Sequence, residues 1–301
     1  MFNENDVFAL IDQCQLESSV DVIAVAEVDF DFKKVKSFQF DVKNKSTCSD
    51  KIYFDLASVT KILTNGAICL LKEPKEIEFI QLFLEHQSGL PAWGLLPKSN
   101  WKELILGFES KESPTNYSDL GAIRAQLEFE KKYKVSLYDV VSALWDSGIL
   151  SWIDLNGTHQ TLVTGKRKNR DIRGEVHDPN AYVIGEKVSH AGLFSTVEGL
   201  GKTLINFNRE GSLIQKISES KKANPLKRFH WGWDTENSFM GKKASEGTFG
   251  HLGFTGTGVW IDPLRKKGVI VLSNVTRDGW FNKKSFNKFR KEVVDLIWES
   301  R

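Results

Sequence analysis

The stretch Phe54-Asp55-Leu56-Ala57-Ser58-Val59-Thr60-Lys61, continuing as ILTNGAICLLK through residue 72, decides how the rest of the chain is read. Phe54, Leu56 and Ala57 form an apolar approach, and Ile62, Leu63, Ala67, Ile68, Leu70 and Leu71 follow, so the pattern predicts a buried helix opening at Ser58. A three-residue step places the Ser58 hydroxyl and the Lys61 amine on one helix face. Burial near a helix N-terminus disfavours a charged amine, through desolvation and the positive end of the dipole. A lysine so placed is suited to take a proton from serine. The spacing alone carries no weight, because Ser99/Lys102, Ser218/Lys221 and Ser285/Lys288 repeat it. From this segment alone, a Ser58 that merely caps the helix, with Lys61 pointing to water, is the stronger reading.

Working outward, residues 4–16 read as a helix and DVIAVAEVDF as a strand at the centre of a sheet, with SFQFDV as its neighbour. Near the other end GVWIDP and GVIVLSN flank the turn-like PLRKKG, which predicts an antiparallel hairpin. In the final segment Phe286, Phe289, Val293, Leu296 and Ile297 recur at helical steps and give one apolar face that needs a sheet to cover. Residues 58–147 carry helical patterns without a strand between them. The expected fold is therefore α/β of the α+β kind: one domain over residues 1–301 with an antiparallel sheet between terminal helices. The sheet part is assigned to about 1–57 and 180–301, and an inserted, mostly helical part to about 58–179.

Lys and Arg number 41 against 39 Asp and Glu, a net charge of +2. That near-cancellation argues against nucleic acid and acidic membrane as partners. The three cysteines, Cys14, Cys48 and Cys69, form no framework, and the N-terminus lacks the basic start and apolar run of an export signal. No apolar stretch approaches the length of a membrane span. A cytoplasmic location is expected. The basic run GKRKNRDIR at 165–173 reads as a solvated loop. His177, Asp178 and His190 match no short zinc spacing, so no metal is expected. Trp233 and Trp260 stand evenly between cleft lining and core.

Two further constellations bear on chemistry. Tyr117-Ser118-Asp119, ahead of Leu120-Gly121, either presents a phenol that relays a proton or simply caps the helix LGAIRAQLEFEKKY. Gly250-His251-Leu252-Gly253-Phe254-Thr255-Gly256-Thr257-Gly258 precedes a strand rather than a helix and lacks a phosphate-loop ending, which excludes a nucleotide reading. Glycines in such a strand allow close backbone approach and free a main-chain N–H to point into a site.

Taken in order, these segments resemble the serine β-lactamase and penicillin-binding-protein superfamily, most of all class C β-lactamases and the related esterases and D-amino-acid peptidases. FDLASVTK is similar to the nucleophile motif, and Glu85-His86-Gln87-Ser88-Gly89-Leu90-Pro91 to the segment that follows it. Tyr117-Ser118-Asp119 resembles the Tyr-x-Asn element, HDPNA at 177–181 and HAGLFST at 190–196 resemble the esterase-like branch, and Gly250 to Thr257 the Lys/His-Thr-Gly strand. The resemblance implies Ser58 as acylated nucleophile, Lys61 as its base and Tyr117 as proton relay. It implies oxyanion N–H groups from Ser58 and Phe254, the Phe254 side chain being incidental to that role. Asp119 and His251 would complete the polar network, with Gly253 and Thr255 as substrate-binding or supporting positions.

Four departures limit what is carried over. Leu252 replaces a hydroxyl that helps hold a substrate carboxylate, and His251 replaces a permanent charge. Asp119 adds negative charge beside Lys61, which burial would have to outweigh for the amine to work as a base. The segment between Lys61 and His86 is short, so a wall of the cleft is expected to be rebuilt. The resulting expectation is a metal-independent serine hydrolase without cofactor, acting on a small-molecule or peptide ester or amide, with esterase or D-amino-acid peptidase favoured over β-lactamase. The alternative is a non-catalytic or slowly acylating binding or sensor protein with the same cleft.

Overall fold

The computed structural model describes residues 2–16, 20–236, 239–279 and 283–300. Strand Val22–Asp29 lies near the centre of an eight-stranded antiparallel sheet, paired on one side with Lys34–Asp41 and on the other with Lys267–Ser273. Period-two alternation decides its packing. Ala24, Ala26 and Val28 join the core shared with helix Val197–Phe207 and the helical body, whereas Ile23 and Val25 face the terminal helices Glu4–Gln13 and Lys284–Glu299. Both faces are therefore covered. Each fully buried Val or Ile on them contributes about 1.5–3 kcal/mol of hydrophobic stabilisation. Gly201 brings the helix onto the sheet, since a Cβ there would lie 2.7 Å from Val35 Cγ1.

The expected hairpin forms between Gly258–Asp262 and Lys267–Ser273, with Gly258 opposite Val271 and Asp262 opposite Lys267. The sheet continues outward through Phe249–Leu252, Trp233–Asp234 and Phe229–His230. Trp233 and Trp260 are wholly buried and belong to the core rather than the cleft.

Two parts differ from expectation. The long helices anticipated over residues 61–87 are segmented: Thr60–Leu63 is followed by a 3-10 turn at Asn65–Ala67 and by Ile68–Leu71, and then Pro74–Ile77 and Gln81–Leu84. Tertiary hydrogen bonds override the periodicity here. Thr64 Oγ1 donates to Thr60 O and to Ser189 O, both at 2.8 Å, and Asn65 Nδ2 donates to Ala122 O at 2.9 Å. Residues 148–179, assigned to the mostly helical part without a helical pattern of their own, carry short strands. Ile149–Ser151 and Gln160–Thr161 belong to a second, four-stranded sheet that includes Ile52–Asp55 and Leu193–Ser195. The basic run is solvated as expected, with Lys166, Lys168, Arg170 and Arg173 exposed, but it folds as a two-stranded hairpin, Gly165–Arg167 with Arg170–Ile172, rather than as a loop. Arg167 turns inward from it to bond Glu175, Val176 O and His177 O and to stack on Tyr182 at 3.8 Å. No helix among the described residues is long and apolar enough to cross a membrane.

Candidate active site

Strand Ile52–Asp55 delivers the chain into a sharp turn. Leu56 N is held by Leu193 O, Ala57 takes a left-handed φ of +46°, and Ser58 sits in a 3-10 turn, Ala57–Val59, rather than at the start of a long helix. A non-glycine residue in that region is strained, and such strain persists only where surroundings hold it. Asp55 does so: its Oδ1 accepts from Ala57 N at 2.8 Å. The one helical turn that follows, Thr60–Leu63, carries Lys61 back over the serine.

Lys61 is buried, and its amine donates to Ser58 Oγ and to His190 O, both at 2.9 Å. Asp119 Oδ1 lies 2.7 Å from the same nitrogen as an ion pair. Burial pulls the Lys61 pKa down, but Asp119 and Tyr117 together outweigh it, so the net shift is upward. The expected advantage of burial is thus reversed, and the resting amine is an ammonium. Tyr117 places its ring 5.1 Å from that nitrogen. Its hydroxyl is pushed up in pKa by burial, against the opposing pull of Lys61 and of hydrogen bonding to Lys61 and Ser58. It is a neutral phenol at rest.

His86 fixes the approach to Tyr117. Its Nδ1 accepts from Ser118 N at 3.1 Å, and its ring lies 4.5 Å from that of Tyr117. Burial, followed by the Lys61 charge, holds this imidazole neutral. Ser118 caps helix Asp119–Tyr133 by accepting from Gly121 N at 2.8 Å, so capping and site geometry coexist in one tripeptide.

Strand Phe249–Leu252 runs past the nucleophile turn and is tied to it. Thr255 Oγ1 donates to Asp55 O at 2.7 Å and Thr257 Oγ1 to Leu56 O at 2.9 Å. Thr255 is therefore a buried support and does not face the cleft. Gly253 is required by this closeness, since a Cβ would overlap Thr257 Oγ1 and Leu56 O. Among the described residues neither the Ser58 nor the Phe254 N–H donates to a protein acceptor. His251 Nδ1 donates to Leu252 O at 2.8 Å, which leaves a buried Nε2 as an unpartnered acceptor. Burial and then the Lys61 charge lower its pKa to about 4, so it adds no positive charge near neutrality.

Ser58 opens into two cavities. One, of about 630 Å³, is lined by Trp93, Asp119, His177, Asp178, His190 and Phe254, among others. The other, of about 380 Å³, is lined by His251, Leu252, Lys283, Asn287, Arg290 and again Phe254. The Phe254 side chain, incidental to the oxyanion role, shapes the cleft. It stands half exposed, its ring 5.4 Å from that of His177 and 3.9 Å from Lys283 Nζ, so that it partitions the two spaces.

The smaller cavity contains charge that motif reading missed. Arg290 is 5% exposed, and no carboxylate among the described residues pairs with it. Its Nη2 donates to Asn287 Oδ1 at 2.9 Å, its Nε has no partner, and burial lowers its pKa to about 10. Lys283 is pushed down to about 8, by burial and then by Arg290, and among the described residues donates to Phe254 O. Two uncompensated cations beside a nucleophile suit an anionic group of a ligand.

Residues 80–285 match the Beta-lactamase family model, and the chain belongs to that family. It is 32% identical over 121 residues to the N-acetylmuramyl-L-alanine amidase of Bacillus subtilis (strain 168), covering 36% of this chain and 27% of that protein. It is 33% identical over 115 residues to a putative D-alanyl-D-alanine carboxypeptidase of Escherichia coli (strain K12), covering 34% and 26%. Each match thus spans under a third of the relative's own length. The octameric penicillin-binding protein homologue from Pyrococcus abyssi superposes with a TM-score of 0.60 at 17% identity, over 91% of this chain and 74% of that one. That likeness is one of fold.

Proposed function

We propose that the chain is a serine hydrolase that forms an acyl-enzyme on Ser58 and needs no metal for the reaction. The observation that carries this reading is the Lys61 amine at 2.9 Å from Ser58 Oγ, with Tyr117 beside both. Because Lys61 rests as an ammonium, its working form arises inside the pair: a proton moves across the 2.7 Å contact to Asp119, leaving a neutral amine. That amine takes the Ser58 proton as Oγ bonds to the substrate carbonyl carbon. The carbonyl oxygen, now an oxyanion, is received by the N–H groups of Ser58 and Phe254. Collapse breaks the bond to the leaving group, which takes a proton from Tyr117, and Lys61 returns one to the phenolate. Water then hydrolyses the acyl-enzyme by the same route.

Arg290 and Lys283 favour a substrate with a carboxylate on the side of the smaller cavity. The names of the relatives, an amidase and a putative carboxypeptidase, favour amide over ester bonds. The test is mass-spectrometric analysis of an acyl-D-alanyl-D-alanine peptide and of N-acetylmuramyl-L-alanine after incubation with the native chain and with Ser58→Ala. Cleavage of either, dependent on Ser58, supports the reading. Both left intact, with saturable binding unchanged in Ser58→Ala, supports a non-catalytic binder instead.

A further inference from the structure

Three segments that must agree to within a fraction of an ångström meet at a buried residue that the mechanism above does not use. Asp55 is 2% exposed. Its Oδ1 accepts from Ala57 N at 2.8 Å, its Oδ2 from His177 N at 2.7 Å, and its main-chain carbonyl from Thr255 Oγ1 at 2.7 Å. One residue thus ties the strained turn that presents Ser58, the loop that walls the larger cavity, and the segment that presents the Phe254 N–H. We propose that Asp55 is a positioning residue that, in its ionised form, holds the nucleophile turn and the two oxyanion N–H groups in register. The inference rests on the acyl-enzyme reading and adds to it the group that sets the site's geometry.

The chemistry of the contacts explains why the residue is a carboxylate. Both bonds to its side chain come from backbone N–H donors, so both oxygens must accept. An ionised carboxylate accepts at each oxygen, whereas a protonated one gives up part of that capacity to its own O–H. An amide would set an NH₂ group against one of the two N–H groups. The charge is costly where it stands. The antiparallel neighbour Leu193–Ser195, the parallel neighbour Gln160–Thr161 and the stretch 253–257 bring no ionisable side chain to it. The charged groups that act on it are Asp178, beside His177, and Arg167 from the hairpin. Burial raises its pKa to about 6, with the two backbone bonds opposing and Asp178 adding to the rise.

The sign follows. A carboxyl whose folded pKa lies above its unfolded value contributes stability at acid pH and loses it as pH rises through about 6. Acidification through that value therefore does not unfold the protein through Asp55. It removes an acceptor from the nucleophile turn in a chain that stays folded, and reactivity falls for that reason.

The experiment is the second-order rate of Ser58 labelling by a fluorophosphonate, followed by intact mass from pH 4.5 to 8, with melting temperatures recorded at each pH. The native chain is expected to label at a constant rate above pH 7 and to slow below about 6 while still folded. Asp55→Asn is expected to label roughly 100-fold more slowly at pH 7.5, as for a misplaced reacting group, and to lose the fall near pH 6. Thr255→Val, which removes one tie and keeps the carboxyl, is expected to slow by about tenfold and to keep that fall. Native-like labelling by Asp55→Asn, or a fall near pH 6 that survives in it, overturns the proposal. Should that variant fail to fold, a native profile flat from pH 5 to 7, or unslowed Thr255→Val, overturns it equally. No labelling of the native chain at any pH contradicts the acyl-enzyme reading and takes the positioning role with it, whereas labelling indifferent to Asp55 contradicts the positioning role alone.

Discussion

Lys61 Nζ and Asp119 Oδ1 stand 2.7 Å apart, so the amine nearest the nucleophile shares its pocket with a carboxylate as well as with Ser58 Oγ. Proton exchange inside this pair changes no net protonation, and the reactive form is therefore independent of solvent pH near neutrality. In Asp119→Asn the internal acceptor is gone, and the largest influence raising the Lys61 pKa goes with it. The amine must then lose its proton to solvent. Asp119→Asn is expected to react at least about tenfold more slowly at pH 7 and to gain up to about tenfold per pH unit towards alkaline pH. A rate–pH profile that keeps the native plateau contradicts the exchange.

Arg290 carries a charge into the core without a carboxylate among the described residues to meet it, and a lowered pKa is the expected response. The charged form therefore costs stability at neutral pH. Arg290→Met is expected to raise the melting temperature, by an amount equivalent to about 1 kcal/mol or more. The same variant is expected to lose roughly 10–100-fold in kcat/KM for substrates bearing a carboxylate, with little change for a neutral ester. Equal losses on both substrate types would show that Arg290 serves structure rather than ligand recognition.

Phe254 stands between the two cavities beside Ser58 and lines both. Phe254→Ser keeps the N–H and joins the two cavities. Penicillin acylation, measured by intact mass, is expected to accelerate by about tenfold or more relative to acylation by a slim linear ester, because the partition restricts a fused bicycle more than an extended chain. An unchanged ratio would remove the ring from the determinants of specificity.

The sheet was legible in the sequence because its central strands are long and alternate over apolar residues, as in VIAVAEVD and GVIVLS. The second sheet was not: strands such as Leu193–Ser195 and Gln160–Thr161 are two or three residues long, too short to show a period. The helices over 61–87 misled because Thr64 and Asn65 bond across the fold, which no local pattern records. At the site, the motifs named Ser58, Lys61, Tyr117 and Asp119, and the structure brings all four together. What spacing did not reveal was the balance of charges on Lys61, the support roles of Asp55 and Thr255, and the cations Lys283 and Arg290. Each depends on a neighbour more than fifty residues away, or on burial, and neither is written in a local segment.

The measurement that bears most directly on the central claim is the intact mass of the native chain, of Ser58→Ala and of Lys61→Met after exposure to a fluorophosphonate at pH 7.5. The account predicts a single stoichiometric adduct on the native chain, none on Ser58→Ala, and labelling of folded Lys61→Met slowed by about 1,000-fold or more. An unmodified native chain, or an adduct that survives Ser58→Ala, would contradict it.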